Sequence, residues 1–310
     1  MSRYTNMLKS PDSLDRFARA IAADRNFDAA AASYLEAFVT WRRGLGGFNK
    51  VVASGARRRI MKTILRLHFS NATDNPDDGA TFERLLNHSN LNGCENCGPR
   101  VLRTVISLAQ RSGHICVQQG WYDRRLKILR PTEKWIEQEA DRHEVALASL
   151  SLLAHDRSRF AMRPHGADLV GRLAIAGGHH DGAAGVTLGE PDGVIRALAA
   201  LDGGLATSFA VADAWVRGKR IPSHKEIGAS FRLSASQARK ILRLAADHGA
   251  IGFDRDGKIN DASGLAAASR RLVAQEFALY ARCVAPFDTA PSETVVAPAF
   301  APERRPEHAH

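Results

Sequence analysis

Between Gly98 and Lys134 the chain reads GPRVLRTVISLAQRSGHICVQQGWYDRRLKILRPTEK, and this run leaves little freedom in the local fold. Pro99 suits the first position of a helix, where its missing N–H would have no partner anyway. From there Val101, Leu102, Val105, Leu108 and Ala109 recur at steps of three and four, an apolar stripe along a helix that reaches Arg111. The opposite side carries Arg100, Arg103, Thr104, Ser107 and Arg111. A tight Gly113-His114 turn follows. Ile115 and Val117 alternate with Cys116 as a short strand, Gly120 to Arg125 turn the chain, and Leu126, Ile128 and Leu129 bring it back. Pro131-Thr132-Glu133-Lys134 then starts another helix.

Helix, turn, strand, basic loop, strand and helix in that order make the working end of a winged helix-turn-helix. Its helix enters a major groove, and its loop touches backbone or minor groove. The wet side of the helix suits that use. No Asp or Glu occurs between Arg100 and Tyr122, and acidic groups beside a phosphate backbone would be repelled. Arg124, Arg125 and Lys127 put three cations at or beside the loop tip. A guanidinium there forks onto phosphates or enters a narrow minor groove, and Asp123 is expected to brace a neighbouring Arg. The competing readings are a solvated helix that happens to be basic and a plain hairpin with a charged tip.

A helix from Arg59 to Phe69, a second from Thr81 to Leu86, the helix after Pro99, and the run from Asp123-Arg124-Arg125 to Pro131-Thr132-Glu133-Lys134 together resemble the winged helix of MarR-type bacterial transcriptional regulators. In that family an Asp-x-Arg wing leads into a strand and a Thr-Pro or Pro-Thr helix start. The resemblance covers about Tyr34 to Leu153. It implies operator binding without catalysis, and a dimer interface built by helices outside the winged core. Two stretches are candidates for that interface. One is the pair Ser13 to Ala23 and Ala30 to Val52, where Tyr34, Leu35, Phe38, Trp41 and Leu45 form a stripe; the other is the long helix from Thr132 to about His155. Two departures stand out: the chain is about twice the length of such a regulator, and Asn87 to Gly98 is longer and richer in Asn and Cys than the usual turn.

A second, weaker copy accounts for the extra length. In IPSHKEIGASFRLSASQARKILRLAADHGAIGFDRDGKINDAS, from Ile221, Ser223 and Glu226 have capping-box spacing and start a short helix. Phe231-Arg232-Leu233 turns, and Ser234 begins a helix to His248 with Ala238, Ile241, Leu242 and Ala245 on its apolar side. Its polar side, Ser236, Arg239, Lys240, Arg243 and Asp247, follows Arg100, Arg103, Thr104, Ser107 and Arg111 by 136 positions each, and Gly249-Ala250-Ile251 follows Gly113-His114-Ile115 by the same interval. That distance is too long for a solenoid repeat and fits a duplicated domain. The second loop, Asp254-Arg255-Asp256-Gly257-Lys258, is short and nearly neutral. The copy therefore either binds DNA through its helix or keeps the fold without the contact.

The expected fold class is mainly α: two tandem winged helix-turn-helix domains with small β-hairpin wings and flanking helices. The expected division is a first domain with N-terminal helices over 1–155, a Gly-rich linker over 156–191 with one short helix at Ala167–Ala176, a second winged domain over 192–285, and a disordered Pro-rich tail over 286–310. The last helix of the second domain, Leu265 to Val284, is expected to turn Leu272, Phe277, Leu279 and Tyr280 inward. A net charge of +10 suits a polyanionic partner. No unbroken apolar run is long enough for a membrane span, and the charged N-terminus lacks an export signal. These features point to a cytoplasmic protein at the nucleoid.

Four cysteines in 310 residues do not make a disulfide framework. Cys94 and Cys97 have C-x-x-C spacing with His88, His114 and Cys116 as neighbours in prospect, which leaves a zinc site, a redox-sensing pair and an inert turn all open. His179-His180-Asp181 is a further weak metal candidate. No phosphate-binding glycine loop and no Gly-x-Ser-x-Gly elbow occurs, so no enzyme activity and no cofactor are expected. The leading function is a sequence-specific double-stranded DNA-binding transcriptional regulator. Its partners would be duplex DNA, a second copy of the chain, and RNA polymerase or another regulator. The alternative is a plasmid-type replication initiator or DNA-architecture protein with two winged helices, and an adaptor without DNA contact is a third reading.

Overall fold

Among residues 13–70, 77–88, 97–153, 165–180 and 193–284, which the computed structural model describes (backbone alone at 13, 176–180 and 282–284), helices predominate and two small antiparallel two-stranded sheets interrupt them. The first half holds α1 (Ser13–Ala22), α2 (Phe27–Gly44), α3 (Phe48–Val51), α4 (Gly55–Ser70), α5 (Phe82–Leu86) and α6 (Pro99–Arg111). Strands β1 (Ile115–Gln119) and β2 (Lys127–Pro131) follow, then α7 (Glu133–Leu150) with a 3₁₀ turn at Ser151–Leu153. Beyond it lie α8 (Gly166–His180), α9 (Gly193–Ala200), α10 (Gly204–Val216), α11 (His224–Phe231), α12 (Ala235–Asp247), β3 (Gly252–Phe253), β4 (Ile259–Asp261) and α13 (Ser263–Val284). None of the described helices is long and apolar enough to cross a membrane. The helix expected over Ala30–Val52 is broken into α2 and α3 around Gly46, whose φ of 54° ends a right-handed helix.

α6 and α12 share one anatomy. Each is 13 residues long, and each is followed by a glycine in the left-handed region, Gly113 at φ 72° and Gly249 at φ 67°. The His114 N–H donates to the Ala109 carbonyl at 2.8 Å and the Ala250 N–H to the Ala245 carbonyl at 2.9 Å, while Gly113 and Gly249 donate back to Gln110 and Ala246. Both ends are therefore Schellman motifs. The 136-position echo in the sequence reaches down to individual backbone hydrogen bonds.

Two hydrophobic cores lie side by side, and they do not divide where chain order suggests. The smaller is built from α3, α4, α5, α6, the first hairpin and the start of α7, with Ile60, Ile64, Leu102, Val105 and Trp135 sealed inside. The larger combines α1 and α2 with α9 to α13. In it Phe27, Tyr34 and Phe38 meet Phe209 and Phe277, with ring centroids 4.8 Å apart for Phe38–Phe209 and 5.6 Å for Tyr34–Phe277. The N-terminal helices, which chain order places in the first domain, thus pack on the second half. Tyr34, Leu35 and Phe38 of their apolar stripe are buried in that core with α10 and α13, Leu45 joins the smaller core and Trp41 is half-buried against both, so the stripe is covered by the same chain and is not an open dimer face.

α7 and α8 bridge the two cores. Trp135 and Ala140 of α7 belong to the smaller, Leu147 and Leu150 to the larger. α8 occupies part of the stretch read as a linker, yet it packs on α4 and α7 with Leu169 and Val170 buried. Gly171 makes that approach feasible, since a Cβ there would sit 2.8 Å from the Phe69 ring. The remaining linker positions, 156–164 and 181–191, and the tail 286–310 lie outside the described residues.

Beside the larger core runs a charged seam. Tyr34 hydrogen-bonds Glu276, Arg142 pairs with Glu139 at 2.9 Å, and the His143 ring lies 2.8 Å from the Tyr280 hydroxyl. Burial, then Arg142 and Lys62, push the His143 pKa well down, so the ring is neutral. Burial and neighbouring Arg58 bring Arg42 down to about 9, and its Nε finds no partner. The contacts from Tyr34 to Glu276 and from Arg142 and His143 to the Tyr280 hydroxyl tie α2 and α7 to α13, because shifting a helix would leave buried polar groups without partners.

Candidate nucleic-acid interface

α6 is held from beneath and bare above. Leu102, Val105 and Ala109 are fully buried against α3, α4 and α5. Arg100, Arg103, Thr104, Ser107 and Arg111, the five residues that the helical period places on the other side, are all exposed. The Arg103 guanidinium lies 5.1 Å from the centroid of the Phe82 ring, so a cation–π contact extends it along α5. Thr104 donates its hydroxyl to the Arg100 carbonyl at 2.9 Å.

The hairpin beside it is regular, pairing Ile115 with Pro131 and Gln119 with Lys127, and Leu129 also bridges to Ala80. Ile128 and Leu129 anchor it in the core. Arg124, Arg125 and Lys127 are exposed at its far end. Among the described residues, no ion pair holds any of Arg100, Arg103, Arg111, Arg124, Arg125 or Lys127. Asp123 does not brace a guanidinium as expected. Its carboxylate instead accepts the Arg125 backbone N–H at 2.9 Å, an Asx turn that shapes the loop and leaves both arginine side chains uncommitted.

The loop has a clamp that the sequence did not announce. The Asp77 carboxylate accepts backbone N–H groups from Trp121, from Tyr122 at 3.0 Å and from Asp123 at 3.1 Å. Desolvation pushes this carboxyl up, but the three N–H groups and Arg130 outweigh it and keep Asp77 below its ordinary range. The aromatic pair so clamped faces solvent, with Trp121 78% and Tyr122 76% exposed. The sequence holds only one hint of this pair's standing, two adjacent aromatics at a turn where polar residues are the rule.

The second unit repeats the plan with fewer cations. Ser223 and Glu226 form the expected capping box, and Arg220, ahead of Ser223, holds the Glu226 carboxyl down to about 2. The α11–α12 turn is tight: Arg232 takes φ 57°, the Leu233 N–H donates to the Gly228 carbonyl at 2.9 Å, and a Cβ on Gly228 would meet the Leu233 oxygen at 2.9 Å. Ser234 and Gln237 make a second capping box that opens α12. Ser236, Arg239, Lys240, Arg243 and Asp247 are all exposed, and Arg239 rests 3.2 Å from the His224 ring. The β3–β4 loop is folded over Asp254, whose carboxylate accepts the Asp256 and Lys258 N–H groups.

Among the described residues the cysteine and histidine candidates do not gather into a metal site. Cys97 is in a disulfide, and Cys94 lies outside the described residues. His114 is buried, stacked on Phe48 at 3.8 Å and hydrogen-bonded to Gln138 and Ser112, while Cys116 is exposed on β1. His179, His180 and Asp181 have no described side chains. Among the described residues no three His, Cys, Asp or Glu side chains are placed to share a metal ion. No family model, curated protein or solved structure matches the chain.

Proposed function

We propose that the chain is a double-stranded DNA-binding transcriptional regulator with two tandem winged helix-turn-helix units, reading base edges with α6 and contacting the backbone or minor groove with the β1–β2 wing. One observation carries this: five polar or cationic side chains of α6 and three cations of the adjoining loop all face solvent, uncommitted to any acid among the described residues. A solvated helix of ordinary composition would compensate such charge internally. A groove lined by phosphates supplies the compensation instead, and counterion release drives the association.

In the second unit α12 offers Ser236, Arg239, Lys240 and Arg243 to a second stretch of duplex. Its short, self-bonded loop adds little backbone contact. The two units together cover two half-sites within one chain, and binding there occludes or recruits RNA polymerase. The shared larger core supports such a role, since it fixes the second unit rigidly to the helices bridging it to the first.

Chromatin immunoprecipitation with sequencing would recover the sites, and fluorescence anisotropy on duplexes carrying them would measure binding. Arg100→Ala and Arg103→Ala are expected to cost about 1–3 kcal/mol for each base that the arginine no longer reads, with reduced discrimination between sites. Parental affinity in the double variant, or an affinity indifferent to salt, refutes the proposal.

A further inference from the structure

We propose that the tip of the β1–β2 loop is an aromatic wedge, Trp121 and Tyr122 entering a base step of the minor groove next to the major groove filled by α6, so that the bound duplex is kinked. This rests on the DNA-binding reading above and says what that reading leaves open, the shape of the DNA that the protein takes.

Among the described residues Trp121 and Tyr122 are the most exposed large hydrophobic side chains in the chain. Large aromatics of a folded chain are usually buried with any polar end hydrogen-bonded. Among the described residues nothing receives them, although the hairpin core formed by Ile128 and Leu129 lies close in sequence.

Nor is their exposure that of a slack loop. Three successive backbone N–H groups converge on the Asp77 carboxylate. The Leu126 N–H donates to the Asp123 carbonyl at 3.0 Å and the Gly120 N–H to the Leu126 carbonyl at 3.0 Å. Gly120 has no space for a side chain, since a Cβ there would sit 2.4 Å from the Asp123 oxygen. The backbone that carries both rings is thus fixed before any partner arrives, which removes much of the ordering cost of binding.

The surroundings select the partner. Arg124, Arg125 and Lys127 flank the rings with no acid paired to them among the described residues, and they outnumber the Asp77 and Asp123 carboxylates, which accept backbone N–H groups of the loop, so the fitting surface combines flat apolar faces with closely spaced anions. Stacked bases between phosphates have that combination. Reach agrees as well. β1 is five residues long and starts just after the turn that ends α6, and at about 3.3 Å per residue it carries the chain roughly 17 Å outward to the loop, about half a helical turn of duplex. Half a turn is the step from a major groove to its neighbouring minor groove. Apolar wedges inserted there unstack a base step and bend the helix by about 20–90°.

The test uses the full chain and a duplex carrying a recovered site, with end-labels for energy transfer and 2-aminopurine at the base step beside the wing. The parent is expected to shorten the end-to-end distance and to brighten the 2-aminopurine as its stacking is lost. The doubly substituted chain, Trp121→Ala with Tyr122→Ala, is expected to bind the intact site roughly five- to a hundredfold more weakly, the span of one lost base stack. It should leave the duplex straight and keep its salt dependence. A site already opened by an abasic position should return most of the lost affinity, and Trp121→Phe with Tyr122→Phe should bend like the parent.

A parent that binds with normal salt dependence but leaves the duplex straight overturns the wedge and spares the DNA-binding reading. A parent with no salt-dependent affinity for duplex overturns both. Parental DNA affinity in the doubly substituted chain overturns the wedge too, and it does so whether the substitutions change nothing else, alter the sedimentation mass, or abolish binding to anionic vesicles.

Discussion

Replacing Phe277 by Ala tests whether the two ends of the chain share one core. Phe277 is fully buried in α13, with its ring 5.6 Å from Tyr34 and 6.2 Å from Phe27, both on α2. Truncating a phenylalanine so enclosed costs about 3–5 kcal/mol, transfer and cavity terms together. Against a total stability of about 5–15 kcal/mol for a domain, that is a large part. At about 1.4 kcal/mol per decade, the slowest amides should lose roughly two to three and a half decades of protection against hydrogen exchange. The loss should appear in Phe27–Gly44 as well as in Ser263–Val284, because the ring lies between them. Hydrogen exchange read by mass spectrometry on peptides from both segments makes the measurement. If the α13 peptides exchange faster while those from α2 keep parental protection, the helices are separate bodies and the shared core is wrong.

Arg124→Ala with Arg125→Ala should flatten the slope of log affinity against log salt by about 0.9 for each phosphate left unneutralised, measured by anisotropy from low to moderate salt, and an unchanged slope would place these side chains away from phosphates. Ser234→Ala removes the hydroxyl that accepts the Gln237 N–H at 3.1 Å. A cost near 1 kcal/mol is expected, a melting point lower by about 2–4 °C for a chain of this size; thermal melting followed by circular dichroism checks it. Acid should loosen the fold before carboxylates titrate. Burial lowers His143 and His114, and it brings His68 down from 6.5 to about 4. With the folded pKa below the unfolded one, the unfolded chain takes up more protons as pH falls under 6.5, so stability present above that value is lost toward about 4. Melting points that stay level from neutral pH down to the onset of carboxylate protonation would contradict this.

The helices were legible because the signals that set them are local. Of the α6 stripe Leu102, Val105 and Ala109 are buried and Val101 and Leu108 half-buried at its edges, the stripe Ala238, Ile241, Leu242, Ala245 is buried as spaced, and the glycines after them take the positive φ that ends a helix. The capping pair Ser223 and Glu226 needs only three residues of chain to act, and it forms as its spacing predicts. Loop content misleads in two places. Glycines at 166, 171, 177 and 178 look like a spacer, yet Gly171 is there to admit Phe69 to a packed helix. Trp121 and Tyr122 are marked in the sequence only as two adjacent aromatics at a turn, which by itself suggests burial since large aromatics are ordinarily inside, and Asp77 lies 44 residues from the loop it clamps.

What the sequence alone determined here is periodicity and termination: where α6 and α12 run, which side of each is wet, and that their endings match at a fixed interval. Those properties follow from bonds between residues a turn or two apart. What only the tertiary structure decided is partnership. An apolar stripe on α2 states that one side must leave water, but burial is non-directional and does not say that α13, about 240 positions later, will cover it. The same limit hid the Asp77 clamp, since a carboxylate binds whichever N–H groups the fold brings within reach, and chain distance has no part in that energy.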